Sequence, residues 1–175
     1  YDEIHNEVLC VRNILEAVTI VENEFNDDPL LMGEVYLHTA IIYKNLGDYK
    51  KASGYIQGAL TIFNHHKSSG IKMYRNLFNT ATIVSADIQL ATNLTDEAIE
   101  LYKEGIKNII DDGLDNSARN SLKFLSDGLH GLGIAYMRKD NDSAALCNLF
   151  TALRIRNGLA YQDKIADSYI ILGEY

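Results

Sequence analysis

The stretch from residue 36 to residue 52, YLHTAIIYKNLGDYKKA, contains the pattern that decides the fold. Ala40 and Ala52 are small residues at positions where two helices would touch, and the ring of Tyr43 is large enough to fill the space between those helices. Gly47-Asp48 lies between the two apolar segments; glycine favours the end of a helix, and aspartate can cap the start of the next. The stretch therefore predicts two helices joined by a tight turn.

The same pattern returns near the C-terminus, which indicates an internal repeat. The first helix recurs at Leu129, Leu132, Gly133 and Tyr136, the turn at Asp140-Asn141-Asp142, and the second helix at Ala145, Leu149, Ala152 and Leu153. A further first helix begins with Ala166, Tyr169 and Leu172-Gly173-Glu174-Tyr175. At the N-terminus, Cys10, Ile14, Ala17 and Val18 match the second helix alone. A pattern that starts and stops inside a repeat predicts a piece of a longer array.

The middle copy is divergent, and its first helix can be placed in two registers. Its second helix is clear from Asp96-Glu97-Ala98-Ile99, with Thr95 as the expected N-cap. We prefer a register in which Ala81, Val84, Ser85 and Ile88 point inward and the turn has one extra residue. The alternative places Thr82, Ser85, Ala86 and Gln89 inward, and we expect it to bury too much polarity.

Composition restricts the class of protein. Hydrophobic residues make up 47% of the 175 residues, so a sizeable core can form, and the net charge of −8 argues against a nucleic-acid surface. Such a charge favours a neutral or cationic partner. Cys10 and Cys147 lie in apolar stretches and are expected to be buried, reduced thiols. No signal peptide or apolar run of transmembrane length is evident, so we expect a cytoplasmic protein without membrane contact.

The repeated pattern resembles the tetratricopeptide repeat over nearly the whole chain. The resemblance implies an all-α solenoid of antiparallel helix pairs that forms a right-handed superhelix. It predicts a truncated second helix over 1–31, repeats over 33–66, 71–110 and 116–159, and a truncated first helix over 160–175. Tyr36 and Leu129 depart from the family, which often has Trp at these positions, and no Pro closes any repeat.

The repeat length narrows the resemblance. Ala52, Ala98 and Ala145 are 46 and 47 residues apart, whereas the family repeats every roughly 34 residues. Long repeats of this kind are similar to the tetratricopeptide regions of bacterial peptide-sensing regulators of the Rap, Rgg and PlcR type. The resemblance implies the ligand-sensing region of a larger transcriptional regulator in quorum sensing, which would carry a helix-turn-helix before residue 1 and could dimerise through its repeats. A constitutive scaffold in a multiprotein assembly is the alternative.

In such a solenoid the first helix of each pair lines a concave groove, and a peptide or protein segment would bind there. Amide side chains in the groove can both donate to and accept from a peptide backbone, and apolar neighbours form pockets for its side chains. The predicted groove residues are Glu34, Leu37, Ile41, Lys44 and Asn45, then Asn79, Thr82, Ala86 and Gln89, then Asp127, His130, Ile134, Met137 and Arg138, and finally Asp163, Asp167 and Ile170.

No pattern in the chain predicts catalysis, a cofactor or a metal site. His65 and His66 are adjacent and so point about 100° apart on a helix, which does not suit a shared metal; we expect them at the end of a helix. Asp111-Asp112 lacks the spacing of an EF-hand loop. No glycine-rich phosphate loop is present, and no nucleophile has a recognisable partner. We therefore expect a binding protein and not an enzyme.

Overall fold

The computed structural model describes residues 2–113 and 118–174, with the side chains of residues 8–113 and 119–173. Within this part the chain is helical and contains no strand, which confirms the all-α prediction. The helices are α1 (Asp2–Glu24), α2 (Pro29–Asn45), α3 (Tyr49–His66), α4 (Lys72–Ala91), α5 (Thr95–Asp111), α6 (Ala118–Met137), α7 (Asp142–Gly158) and α8 (Gln162–Glu174), with a short 3-10 helix at Lys67–Ser69. The first two residues of the segment predicted over 116–159 lie outside the described residues.

The chain divides into two compact units, Tyr1–Val84 and Ser85–Tyr175, with the boundary inside α4. In the first unit α1 packs on α2 and α2 on α3, and in the second unit α5 packs on α6, α6 on α7 and α7 on α8. The helix pairs predicted over 33–66 and 116–159 therefore pack together as α2 with α3 and α6 with α7. The right-handed superhelix remains a prediction.

In the first unit α2 and α3 run in opposite directions and touch at small residues. Gly33 near the start of α2 lies against Phe63 near the end of α3, whereas Tyr43 near the end of α2 stacks on Tyr55 with 5.8 Å between ring centroids. Three alanines in this seam have no exposed surface, namely Ala40, Ala52 and Ala59. Because these side chains are short, the two helices approach closely and large rings fill the flanks.

The second unit repeats this construction with α6 and α7. A Cβ atom added at Gly133 would lie 2.7 Å from Leu149, so the glycine is needed for the observed approach of the two helices. On the other side of α6, Gly131 lies against Tyr102 of α5. Leu149, like Ala145 and Ala152, has no exposed surface. The predicted pairing of small and large residues is thus present in both units.

Four helices end in the same Schellman turn, in which a residue of positive φ follows the helix and the next N–H donates to the carbonyl five residues earlier. The residues of positive φ are Gly47, Asn93, Asp140 and Ala160. The N–H···O bonds join Asp48 to Tyr43 (2.9 Å), Leu94 to Gln89 (2.9 Å), Asn141 to Tyr136 (3.0 Å) and Tyr161 to Arg156 (3.0 Å). Because the turn fixes which residue ends each helix, equivalent residues of the repeats can be identified by counting back from it.

Counting from the turn shows that the preferred alignment of α4, with one extra residue in the turn, is wrong. Gln89 occupies the place of Tyr43 and Tyr136 in the turn, with no extra residue. Ala86 then corresponds to Ala40, and both have no exposed surface. The alignment to the turn is therefore that of the alternative. The burial expected of the preferred set is nevertheless present at Ala81, Val84 and Ile88, whereas Ser85 and Gln89 are only half-buried.

The polar side chains whose burial argued against this alignment make hydrogen bonds within α4. The hydroxyl of Thr82 donates to the carbonyl oxygen of Phe78 at 2.9 Å, and that of Thr80 donates to Asn76 at 2.9 Å. A threonine bonded to the carbonyl four residues earlier can be buried at little cost, because its only donor already has a partner. Thr82 is 2% exposed.

Of the two predicted N-caps, Asp48 of α3 is confirmed and Thr95 of α5 is wrong, and Asn141 in the predicted turn also caps α7. The carboxylate of Asp48 accepts from the N–H of Lys51 at 3.1 Å, and the side-chain oxygen of Asn141 accepts from the N–H of Ala144 at 3.2 Å. Thr95 is not the N-cap of α5, because the helix already includes Thr95 and the capping position falls on Leu94, which makes no side-chain bond. The N–H of Ala98 donates to the backbone carbonyl of Leu94 instead.

Two further predictions concern isolated side chains. Cys10 and Cys147 are free but exposed, so the expectation that they are buried is wrong. Each lies on the outward side of an otherwise apolar helical stretch, and the helical period, not the local composition, decides burial. His65 and His66 end α3 as predicted, and the ring of His66 stacks on Tyr74 with 5.0 Å between centroids.

Two glycine-to-alanine changes in the first unit should have effects of opposite sign. Gly47→Ala places a Cβ atom on a residue at φ 76° and should lower the free energy of unfolding by about 1 kcal/mol. Gly54→Ala adds a Cβ atom within α3 with nothing within 4 Å, and should raise it by up to about 1 kcal/mol. Urea unfolding followed by circular dichroism measures both, and a shift of the two variants in the same direction would contradict the role given to the turn.

Candidate functional site

The corrected register shows which side chains of the first helices occupy equivalent positions in the second unit. Asp87 at the end of α4, Ile134 of α6 and Asp167 of α8 each follow the small residue of their seam directly. We define the α6–α8 face as Asp127, His130, Ile134, Asp167 and Ile170. The five residues come from the predicted groove positions, and four of them are half-buried while Ile170 is 58% exposed.

A buried arginine of α7 lies beneath this face and donates hydrogen bonds to both α6 and α8. Arg156 is 1% exposed, and its guanidinium donates to Asp127 of α6 at 2.8 Å. Its other nitrogen donates to the hydroxyl of Ser168 at 2.7 Å and to the backbone carbonyl of Lys164 at 3.0 Å, both on α8. One side chain thus connects three helices of the second unit.

The carboxylate of Asp127 is partly open to solvent, since its side chain is 30% exposed. Burial raises the pKa of Asp127 above the usual value, although the bond from Arg156 lowers it and the neighbouring charge of Asp87 raises it further. Asp87 itself accepts a hydrogen bond of 2.6 Å from the buried hydroxyl of Tyr102. Asp87 of α4 therefore lies close enough to Asp127 of α6 for its negative charge to raise the pKa of Asp127.

His130 lies near Arg156 and Asp167, and burial favours its neutral form. Burial lowers the pKa of His130 to about 4, and the positive charge of Arg156 acts in the same direction, whereas Asp167 opposes it. Within the described residues, Nδ1 of His130 is buried without a hydrogen-bond partner, as is Nε of Arg156. A neutral imidazole can both donate and accept, which suits the backbone of a bound peptide.

The lysine and arginine near the face are engaged by other groups. Lys164 forms an ion pair of 3.2 Å with Asp167, and the exposed Arg138 donates to the carbonyl of Leu90 at the end of α4. That carbonyl belongs to the last turn of a helix, where a cation is favourable. Arg138, which the sequence placed among the binding residues, therefore has a structural partner, and Met137 next to it is half-buried.

The predicted groove positions of the first unit are only partly accessible. Leu37 is 2% exposed and belongs to the core, so it does not line an open surface as predicted. Ile41 and Lys44 are half-buried, and Asn45 is exposed at the end of α2. Burial of an apolar side chain such as Leu37 is favourable by itself, which explains why Leu37 packs in the core and not along the predicted groove.

The amide and hydroxyl residues predicted for α4 do not form an open binding face. Asn79 is 3% exposed and Thr82 is 2% exposed, so both lie in the interior. Gln89 is half-buried and occupies the position equivalent to Tyr43 and Tyr136. The error follows from the register, because shifting a helix by one residue turns each side chain by about 100°.

Sequence reasoning missed Asp87 and Arg156. Arg156 corresponds to Phe63, since the two repeats align at a separation of 93 residues, as Ala52 and Ala145 do. A charged residue at a position that is a buried aromatic in the other repeat is a detectable signal, because a buried cation requires a partner. Asp87 would have followed from the correct register.

Some classes of site are not found in the described part of the chain. Among those residues, no group of three or more His, Cys, Asp or Glu side chains is placed to hold a metal ion. No described helix combines the length and the apolar character that crossing a membrane requires. A shallow depression of about 270 Å³ lies between α6 and α7, lined by Leu122, Arg154, Ile155, Gly158 and Leu159.

Comparison with known proteins identifies a fold but no family. No family model matches the sequence, and no curated protein is similar to it in sequence. The fold is similar to the crystal structure of BtubC (BKLC) from P. vanneervenii, with a TM-score of 0.67 and 18% identity. The match covers 91% of this chain and 60% of that chain, so the sequence spans less than two thirds of the length of BtubC. At this identity, the likeness shows that the two proteins share an all-α fold.

His130 should make stability depend on pH in the mildly acidic range. Its pKa is about 4 in the folded chain and roughly 6.5 when unfolded, so the unfolded state binds the proton first. The associated stability is complete above pH 6.5 and falls as the pH decreases towards 4. Between pH 7 and pH 5 the wild type should lose about 2 kcal/mol more than His130→Gln, measured by urea unfolding at each pH.

Two features of this comparison isolate His130. The raised pKa of Asp127 has the opposite effect, because it increases the stability of the fold as the pH falls. Asp127 is present in both the wild type and His130→Gln, so its contribution cancels in the comparison. His38→Gln, at an exposed position of α2, controls for the loss of a histidine as such. Equal pH dependence of the wild type and His130→Gln would show that His130 is not kept neutral by burial.

Proposed function

We propose that this chain is a peptide- or protein-binding module, and that its ligand lies along the α6–α8 face. On the resemblance to long tetratricopeptide repeats, we further propose that it is the ligand-sensing region of a larger bacterial regulator. The observation that carries the proposal is a line of half-buried polar and apolar side chains on α6 and α8, supported from below by Arg156.

The composition of the face favours an extended peptide. His130 and the carboxylates can bond to backbone groups, while Ile134 and Ile170 offer apolar surface for side chains of the ligand. Ile170 is 58% exposed, so its side chain offers apolar area to a ligand on this face. The ligand would gain affinity from apolar burial and orientation from the polar groups.

The charges of the face favour a ligand with a basic residue. Asp127 and Asp167 lie on it and Asp87 is close to Asp127, whereas Arg156 is buried and Lys164 is paired with Asp167. The chain as a whole carries a net charge of −8. A lysine or arginine in the ligand would therefore meet a favourable field both at a distance and in contact.

Selection from a phage-displayed library of random decapeptides, with the whole chain immobilised, tests this proposal. We expect enrichment of sequences that combine a basic residue with aliphatic residues, and saturable binding of the corresponding synthetic peptides in calorimetry. A constitutive scaffold would instead show no binding of such short peptides and require a folded protein partner. Failure to enrich any sequence above a blank surface would contradict the peptide-binding proposal.

A matched pair of variants tests the location of the site. Ile170→Asp places a charge on the α6–α8 face and should weaken binding of the selected peptide at least about tenfold, or about 1.4 kcal/mol. Ile110→Asp makes the same change on α5, at a position that is 55% exposed against 58% for Ile170, and should leave affinity unchanged. Calorimetric titration measures both affinities. Equal effects of the two changes would place the ligand elsewhere.

A further inference from the structure

Arg156 occupies a position that apolar packing fills in the other repeat. Its equivalent, Phe63, has no exposed surface and lies against Gly33 of α2. In the second unit the place of Gly33 is taken by Ser126, which is also fully buried, and Asp127 follows it directly. A neutral contact between two helices in the first unit is thus replaced by a charged connection among three helices in the second.

The two ends of this connection differ in their access to solvent. The side chain of Arg156 is 1% exposed, whereas that of Asp127 is 30% exposed on the α6–α8 face. The remaining bonds of the guanidinium go to Lys164 and Ser168, which lie in the first two turns of α8. A ligand can therefore contact the anion of the pair without reaching the cation.

A buried ion pair responds to the loss of one partner more strongly than an apolar contact does. The attraction between the two charges largely offsets the cost of removing them from water, so the intact pair contributes little net stability. If the carboxylate is withdrawn, the buried guanidinium keeps that cost without compensation. The packing around Arg156, including the start of α8, is then destabilised.

We propose that the Asp127–Arg156 pair couples ligand binding on the α6–α8 face to the packing of α8. A basic group of the ligand that bonds to Asp127 weakens the bond from this carboxylate to Arg156. The buried charge then loses its counter-ion, and α8 packs less firmly against α6 and α7. This inference rests on the proposed function for the ligand, while the coupling itself is a property of the unliganded chain.

Hydrogen–deuterium exchange of the whole chain without ligand tests the coupling. Asp127→Asn keeps the shape of the side chain and removes its charge, and we expect the amides of α8 to exchange about tenfold faster than in the wild type. Asp140→Asn is the matched control in the same unit, because Asp140 is exposed in a turn at φ 53°, which asparagine also adopts. Unchanged exchange of α8 in Asp127→Asn would overturn the proposal.

A double variant separates the coupling from general damage to the fold. Arg156→Met replaces the guanidinium with an apolar side chain of similar length and removes the buried charge. In this background Asp127→Asn should no longer accelerate exchange in α8, since no uncompensated cation remains. If Asp127→Asn were equally disruptive with and without Arg156, the pair would not be the element that holds α8.

The same exchange measurement is then made with the peptide selected from the decapeptide library bound to the chain. Its binding should speed exchange in α8 of the wild type but not of Arg156→Met, and replacing its basic residue with norleucine should abolish the effect. If the peptide binds while exchange in α8 stays unchanged, the coupling is wrong and the binding proposal stands. If no peptide binds, the binding proposal fails, and the unliganded variants alone decide whether the pair holds α8.

Discussion

The structure depends on the close approach of paired helices at residues with almost no side chain. Ala40 and Ala52 in the first unit, and Gly133 and Ala145 in the second, lie where two helical backbones meet and leave no room for larger groups. Once the backbones are this close, the flanking rings and branched side chains have one well-packed arrangement. Each helix pair is therefore a rigid unit whose outer positions are free to vary.

That freedom explains how two similar repeats acquire different properties. Phe63 and Arg156 occupy equivalent places, yet the first completes an apolar core and the second connects α6 and α8 through charge. The seam keeps small residues in both repeats, with Ala52 and Ala59 matched by Ala145 and Ala152, so the change does not disturb the pairing of the helices. The second unit thereby carries a polar site on a frame that apolar packing has already fixed.

The proposed binding and the proposed coupling to α8 depend on the same feature, the half-burial of Asp127 and His130. Half-burial strengthens the electrostatic interactions of both side chains, because fewer water molecules screen them. The same burial ties the ionisation and hydrogen bonding of these groups to Arg156, and through it to α8. The proposed coupling of ligand binding to the packing of α8 depends on this connection.

The sequence by itself determined the helix pairs, their turns and most positions of the seam, because these follow from local spacing: small residues at Ala52 and Ala145, and Gly47 where a positive φ is needed. It did not determine the register of α4, since the hydroxyl of Thr82 finds its partner in the helix backbone and burial of a polar residue then costs little. Nor did it reveal that Arg156 is buried. Its partners, Asp127, Lys164 and Ser168, lie on the two neighbouring helices α6 and α8, and only the tertiary structure brings them around the guanidinium.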